Sequence, residues 1–449
     1  MTKFARSAVI FFSLLFFATS GCVSAPVSSS KGAGSADKGV FHAWSQYGPD
    51  SILLGRVITT DKKCPSLEAD GRFIPMLERS VPTAQFPVRS CEVIIPAGTH
   101  DARVLDSHGY QQFPLLNHPP HKVVVLGDTG CRIKLKNGKG EVQDCNDPKQ
   151  WPFLQIADIA AKSKPDLVIH VGDYLYRESP CPKDPATGKE LAQCAGSPWG
   201  YGSDVWDADF FTPAKQLLQT APWVFVRGNH ELCSRAGEGW FRYLDARVYT
   251  GTCLDRTPVF SVNFENMNLA ILDSAAAEDD EAKDADVKYY STQIAAIETF
   301  GKHQWVLTHR PIWALFGKKD REAGSLNKTL QESARTLGTM MEQSQIDLVL
   351  AGHIHLFETL TFQDKGPSQL VLGNGGTELS EYVPEAKTPF YAGIPIDDRK
   401  VRQATILKDF GYLVLEFQKN GDWNAVAYSK AGTLIDRFRL HEKDIQKLR

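Results

Sequence analysis

The sequence predicts an α/β protein, a two-sheet sandwich flanked by helices and preceded by a small all-β domain. Three observations carry this reading. From residue 119 onward, short near-continuous apolar runs alternate with longer amphipathic stretches, the pattern of strands covered on both faces. Between 41 and 118 the runs are short and alternating, broken by Pro and Gly, with no long helical period. The tail runs through YLVLEFQ, WNAVAYS and TLIDRFRL, a meander suited to a second sheet packed against the first.

The chain has 449 residues, more than one ordinary domain. It opens with Lys3 and Arg6 ahead of the apolar run AVIFFSLLFFA, then TSGC at 19–22. A charged start with so short an apolar run reads as an export signal over 1–22 rather than a membrane span. TSGC resembles a bacterial lipoprotein box, with Cys22 as the lipidated first residue; Thr19 stands where that pattern usually has leucine. The competing cut lies after Val23-Ser24-Ala25. The expectation is an exported protein, membrane-anchored through Cys22 at the periplasmic face or cell surface, or otherwise secreted. Residues 23–40 are rich in Ser, Gly and Ala and read as a flexible tether. With a formal net charge of −3 there is no basic footprint for nucleic acid.

Nine cysteines less Cys22 leave eight: Cys64, Cys91, Cys131, Cys145, Cys181, Cys194, Cys233 and Cys253. They form four successive close pairs, and sequential bridges in an oxidising compartment are the simplest connectivity. A zinc cluster is disfavoured because no C-x-x-C unit occurs.

Over 119–449, candidate strands are KVVVLG, DLVIHVG, WVFVRG, LAILDS, QWVLTH, DLVLAG and QLVLGN, with WPFLQIADIAAKS and KTLQESARTLGTMMEQS as helices. Five of these strands end in a polar cluster: GDTG (127–130), GDYLY (172–176), GNHE (228–231), LTHRP (307–311) and GHIH (352–355). Ligands in α/β sheets gather beyond the carboxyl ends of strands, so Asp128, Asp173, Tyr176, Asn229, His230, His309, His353 and His355 are expected on one rim. GD after a strand is by itself a common turn, and a lone His is more often a satisfied core residue. Five such ends in series are not explained that way. Carboxylate, phenolate, amide oxygen and imidazole form a mixed donor set suited to iron, manganese or zinc, and one carboxylate can bridge a pair of ions.

The set GDTG, GDYLY, GNHE, a lone His and GHIH resembles the five-block signature of purple acid phosphatases, within the calcineurin-like metallophosphoesterases. The likeness covers roughly 122–375. Many relatives in the wider superfamily carry D-x-H in the first block; here Gly130 replaces that histidine and Tyr176 is present, which favours the purple branch. The resemblance implies a metallophosphoesterase sandwich and an exported phosphomonoesterase of acid phosphatase type, acting on a small phosphate ester by attack of a hydroxide held on the metals. A phosphodiesterase or nucleotide hydrolase on the same centre is the alternative. It further implies two metal ions: Fe(III) held by Asp128, Tyr176 and His355, and a divalent Fe, Zn or Mn held by Asn229, His309 and His353, with Asp173 bridging. His230 would bind phosphate and serve as general acid. The plant-type enzymes place a further histidine beside the lone metal ligand; here Arg310-Pro311-Ile312-Trp313 follow, and Arg310 is a candidate phosphate contact.

Other positions carry weaker expectations. Glu231 orients His230 or is solvated, His170 is core, and Asp273 supports the ligands. The inserts holding Cys181–Cys194 and Cys233–Cys253 are expected to form a pocket rim with Trp199, Tyr201 and Trp240. A non-catalytic binding lipoprotein on a decayed scaffold would ordinarily lack a ligand, and none is missing.

Overall fold

A computed structural model describes residues 40–106, 109–136, 139–315, 327–336, 343–380 and 388–448. The expected export signal and nearly all of the tether lie outside the described residues. Two sheets face each other, with helices on both outer sides. The first sheet has 11 strands and the second 8.

At the centre of the first sheet lie Lys122–Leu126, Leu167–His170 and Trp223–Phe225, mutually parallel, with Val125 opposite Ile169 and Val168 opposite Trp223. Each is buried on both faces. Val124 and Leu126 point to the outer core with Phe153, Ile156, Trp206 and Phe210, while Val123 and Val125 point to the inner core with Leu269, Leu307 and Leu348. That is why these strands read as continuous apolar runs. The second sheet has Met267–Leu272, Gln304–Thr308, Ile346–Ala351 and Ser368–Leu372 as parallel neighbours. Helices Phe153–Lys162 and Thr212–Leu218 cover the first sheet, and Asp284–Ile297 and Lys328–Thr336 cover the second. Residues 337–342 of the last predicted helix lie outside the described residues.

The tail differs from expectation. Its strand Gly411–Phe417 pairs antiparallel with Lys122–Leu126, and the meander extends the first sheet instead of building the second. The physical reason is a free strand edge beside Lys122–Leu126, where Leu413 and Leu415 join the inner core. The segment 41–118, expected as a domain of its own, divides in two. Val40–Tyr47 pairs in parallel with Trp223–Phe225, placing fully buried Trp44 in the main outer core. Leu53–Thr59, Arg89–Ile94 and Leu77–Ser80 then prolong the first sheet. Only Ser66–Ala69, Arg72–Pro75, Ala102–Asp106 and Gly109–Gln112 form a separate four-stranded sheet, whose Leu67, Ala69, Ala102 and Val104 share an apolar cluster with Ala43, Val57, Cys91 and Val93 of the first sheet. The described residues all fall within one compact unit.

The four disulfides are the sequential ones, Cys64–Cys91, Cys131–Cys145, Cys181–Cys194 and Cys233–Cys253. Four bridges belong to an oxidising compartment, extracellular or periplasmic. Among the described residues no helix is long and apolar enough to cross a membrane.

Candidate metal centre

Parallel strands in each sheet end at the same level, so their exit turns converge where the sheets meet. The turns are tight and strained. Asp128, Asp173 and His353 all have positive φ, at 55°, 58° and 71°, a region that costs a non-glycine residue about 1–3 kcal/mol and clusters at functional sites. Glycine precedes each. At Gly172 (φ 102°) a Cβ would lie 2.5 Å from His309 Nδ1, and at Gly228 it would collide with the Asp173 carboxylate. The G-D and G-N pairs of the motifs are therefore a packing requirement of the cluster.

All seven predicted ligands come together. The Tyr176 hydroxyl lies 2.8 Å from Asp128 Oδ1, 2.8 Å from Asp173 Oδ2 and 3.2 Å from His355 Nε2. On the other side, His309 Nε2 lies 3.1 Å from the same Asp173 Oδ2 and 3.1 Å from Asn229 Oδ1, which is 2.8 Å from His353 Nδ1. One carboxylate oxygen thus touches both donor groups. Asp173, His309 and His353 alone offer three donor atoms within 4.8 Å of one another. The sheets are cross-tied here, since the His353 backbone N–H donates to Asp128 Oδ2 at 2.9 Å.

The donor set fits metal ions by a second criterion, the tautomers. His309 donates Nδ1–H to Val171 O at 2.9 Å and His355 donates Nδ1–H to Glu378 O at 2.8 Å. His353 Nε2 faces Asp279 Oδ2 at 3.1 Å, leaving Nδ1 for the cluster. Each imidazole has its outer nitrogen beside an acceptor and its other nitrogen turned to the cluster, the orientation of metal ligands. The charges agree. Burial raises the Asp128 carboxyl to about 7, with Asp173 pushing the same way, and burial with both carboxylates pushes the Tyr176 phenol well up. Burial alone would lower His309, but Asp173 outweighs it and raises the imidazole to about 9. A buried group of two carboxylates and a phenol favours cations beside it.

His230 is buried and stacks on Tyr176, the ring centroids 3.9 Å apart. Its Nδ1 lies 2.8 Å from Leu175 O and 3.0 Å from Glu178 Oε1. The Arg235 guanidinium crowds the same nitrogen at 2.6 Å, but two acceptors against one donor assign it the hydrogen. Nε2 is 3.8 Å from Asp173 Oδ2. Burial, helped by Arg235, lowers the imidazole to about 4 despite Asp173 and Glu178.

Several supports were not evident in sequence. Asp279 holds both His353 and Arg310. Ser274 Oγ accepts the backbone N–H groups of His309 and Arg310 at 3.1 and 2.9 Å. Fully buried Asp209 accepts the N–H of Cys131 and Tyr176, joining the first two motif loops. Arg310 is no surface residue: it is 7% exposed, ion-paired to Asp279, and 3.3 Å from His353 Nε2. Glu231 is neither solvated nor bonded to His230; fully buried, it accepts the N–H groups of Tyr174 and Gly228, and burial raises it to about 8. Trp240, expected on a rim, packs in the outer core against Tyr174, since its insert folds back as the helix Gly237–Tyr243. Trp199 and Tyr201 remain half-exposed. His170 is core, its Nδ1 accepting the Gly172 N–H. Asp273 anchors Arg227 and Thr257.

A family model for the calcineurin-like phosphoesterases matches residues 121–357. Among solved structures, a purple acid phosphatase from yellow lupin (Lupinus luteus) seeds, PPD1, is 14% identical with a TM-score of 0.55, over 90% of this chain and 75% of that one. PhoD is 11% identical with a TM-score of 0.54, over 92% of this chain and 91% of that one. At these identities the likeness is one of fold. No curated protein sequence matches.

Proposed function

The chain belongs to the calcineurin-like phosphoesterase family, a metal-dependent phosphoric ester hydrolase with a dinuclear centre, and within it we propose an exported acid phosphatase acting on small phosphate monoesters. The observation that carries the proposal is the single Asp173 oxygen placed between Tyr176 on one side and His309 on the other. Asp128, Tyr176 and His355 would hold one ion and Asn229, His309 and His353 the other, with Asp173 shared. The phenolate and two carboxylates suit Fe(III); the neutral amide and imidazoles suit a divalent Fe, Zn or Mn. When bound, the ions supply Lewis acidity and an activated water.

His230 supplies the proton. With Nδ1–H committed to Leu175 and Glu178, Nε2 bears a hydrogen only in the imidazolium form. That form donates first to a phosphate oxygen and then to the departing alkoxide, leaving Nε2 bare. A pKa near 4 populates it in acid, and this favours an acid phosphatase. Arg310, held by Asp279 beside His353, orients the phosphate from the second-sheet side. The lipoprotein box at Cys22 supports anchoring at the membrane, and the net charge of −3 supports a small-molecule substrate over nucleic acid.

The test has two parts. Turnover of p-nitrophenyl phosphate should exceed that of bis-p-nitrophenyl phosphate at pH 4–6; the reverse order would support the diesterase reading on the same centre. Oxidised protein should show a broad visible band from the phenolate–iron pair, absent in Tyr176→Phe. A colourless, fully metallated and active wild type would refute Fe(III) at Tyr176.

A further inference from the structure

The N-H-P-P-H-K turn at 117–122 is left unused by the proposed chemistry, and it lies at the wrong end of the sheet to take part. His118 and His121 precede the strand Lys122–Leu126, and Asp166 precedes its parallel neighbour Leu167–His170. Asp128 and Asp173 leave the far ends of these same two strands, about 20 Å away at 3.3 Å per residue. We propose that His118, His121 and Asp166 form a separate site for a divalent transition-metal ion, outside the dinuclear centre.

Three observations support it. One donor atom from each residue falls within 4.8 Å of the others. A tetrahedral ion with bonds near 2.1 Å needs donors about 3.4 Å apart, and two exposed imidazoles close that gap by small rotations. The tautomer of His118 is set for ligation: Nδ1–H donates to Pro119 O at 2.9 Å, so in the neutral ring Nε2 carries a bare lone pair, 3.9 Å from Asp166 Oδ1. The carboxylate is pre-oriented, since Asp166 Oδ2 accepts the backbone N–H groups of His121 and Lys122, both at 2.8 Å. Oδ1 is thereby left for an ion. Pro119 and Pro120 restrict the backbone between the two imidazoles, whose ring centroids are 5.7 Å apart.

The adjacent Lys122 does not compete. Lys122 Nζ is turned to Ser163 O at 3.3 Å and to Glu416 at 3.6 Å. Two imidazoles and one carboxylate, with water completing the shell, select zinc, nickel or copper over magnesium or calcium. An ion there staples the turn entering one central strand to the first residue before the next. It binds the folded chain and not the unfolded one, so it raises thermal stability.

The experiment is calorimetric titration of the metal-loaded enzyme with Zn2+. Wild type is expected to take up one further equivalent with a micromolar dissociation constant and a higher Tm. In the double variant His118→Ala, His121→Ala that equivalent disappears and the hydrolytic rate is unchanged. Both side chains lie in an exposed turn, so the fold is not at stake. His309→Ala, which disrupts the dinuclear centre, should still bind the outer equivalent; this separates failure of the outer site from failure of the dinuclear reading. Absence of further Zn2+ uptake by wild type, or equal uptake by the double variant, overturns the proposal.

Discussion

The two sheets contribute different chemistry to the centre. The first sends Asp128, Asp173, Tyr176 and Asn229, all oxygen donors; the second sends His309, His353 and His355, all imidazoles. Their supports differ likewise. First-sheet loops are tied by buried carboxylates, Glu231 to Tyr174 and Gly228, Asp209 to Cys131 and Tyr176. Second-sheet ligands are oriented from outside, by Ser274, Asp279 and backbone carbonyls. The oxygen side concentrates negative charge, while the imidazole side supplies donors that carry none. Neither side is a site alone, because Asp173 must reach across to His309. The inner core of Val123, Ile169, Leu269 and Leu307 therefore matters to function, since it sets the gap between the sheets.

Substitution of Asp173 breaks this comparison most severely. Asp173→Ala removes the oxygen common to both sides, and kcat/KM should fall by about 10⁴-fold or more, roughly 5.5 kcal/mol of barrier. Elemental analysis should show both ions depleted. Retention of two ions would mean that the set Asp128, Tyr176 and His355 and the set Asn229, His309 and His353 each bind a metal without the shared carboxylate.

Next in size is His230→Ala. The residue sits on the oxygen side and stacks on Tyr176, yet its contacts are protonic and no metal role is expected. Turnover should drop about 10²–10⁴-fold with metal content unchanged. An accompanying loss of metal would return His230 to the ligand set.

The imidazole side can be weakened by itself. Asp279→Asn takes the charged acceptor from His353 Nε2 and the partner from Arg310. Affinity for one ion should fall about 10–100-fold, the usual effect of losing a residue behind a ligand. The other ion and the visible band should persist. Equal loss of both ions would show that the two ion sites are not separable.

The ligands were legible in sequence because each stands at a strand end behind a buried apolar run, and the close packing of four of the five turns demands glycine at a fixed offset. The strands around them were legible for the same reason. Asp279 was not, lying in SAAAEDDEAKDAD, where its neighbours are equally acidic and look like a solvated loop. Only the fold reveals that it faces His353. Glu231 was misjudged since a carboxylate beside a catalytic histidine reads as its partner, whereas here it serves two backbone amides. Trp240 and the tail failed differently. Burial on an insert and the choice between two open sheet edges depend on long-range packing, on which local pattern is silent.

The smallest expected effect concerns protons rather than metals. Glu178 lies 3.0 Å from His230 Nδ1 and pairs with Arg235. Burial would raise its pKa, but His230 and Arg235 outweigh burial and hold it at about 2, so it is ionised throughout the working range. Its negative charge favours the imidazolium and opposes the burial that lowers His230 to about 4. Glu178→Gln removes that charge, and the His230 pKa should fall further. Since His230 donates only when protonated, kcat/KM declines as pH rises through that pKa. The declining limb should therefore move to lower pH in the variant, by about 0.5–1 unit for roughly 0.7–1.4 kcal/mol of lost interaction. At a fixed pH above the limb the rate falls about three- to tenfold, and below it wild type and variant converge. Profiles of kcat/KM from pH 3 to 7 check this. A uniform loss at every pH would mean that Glu178 only positions Arg235, and a limb shifted upward would contradict the assignment of His230 as the acid.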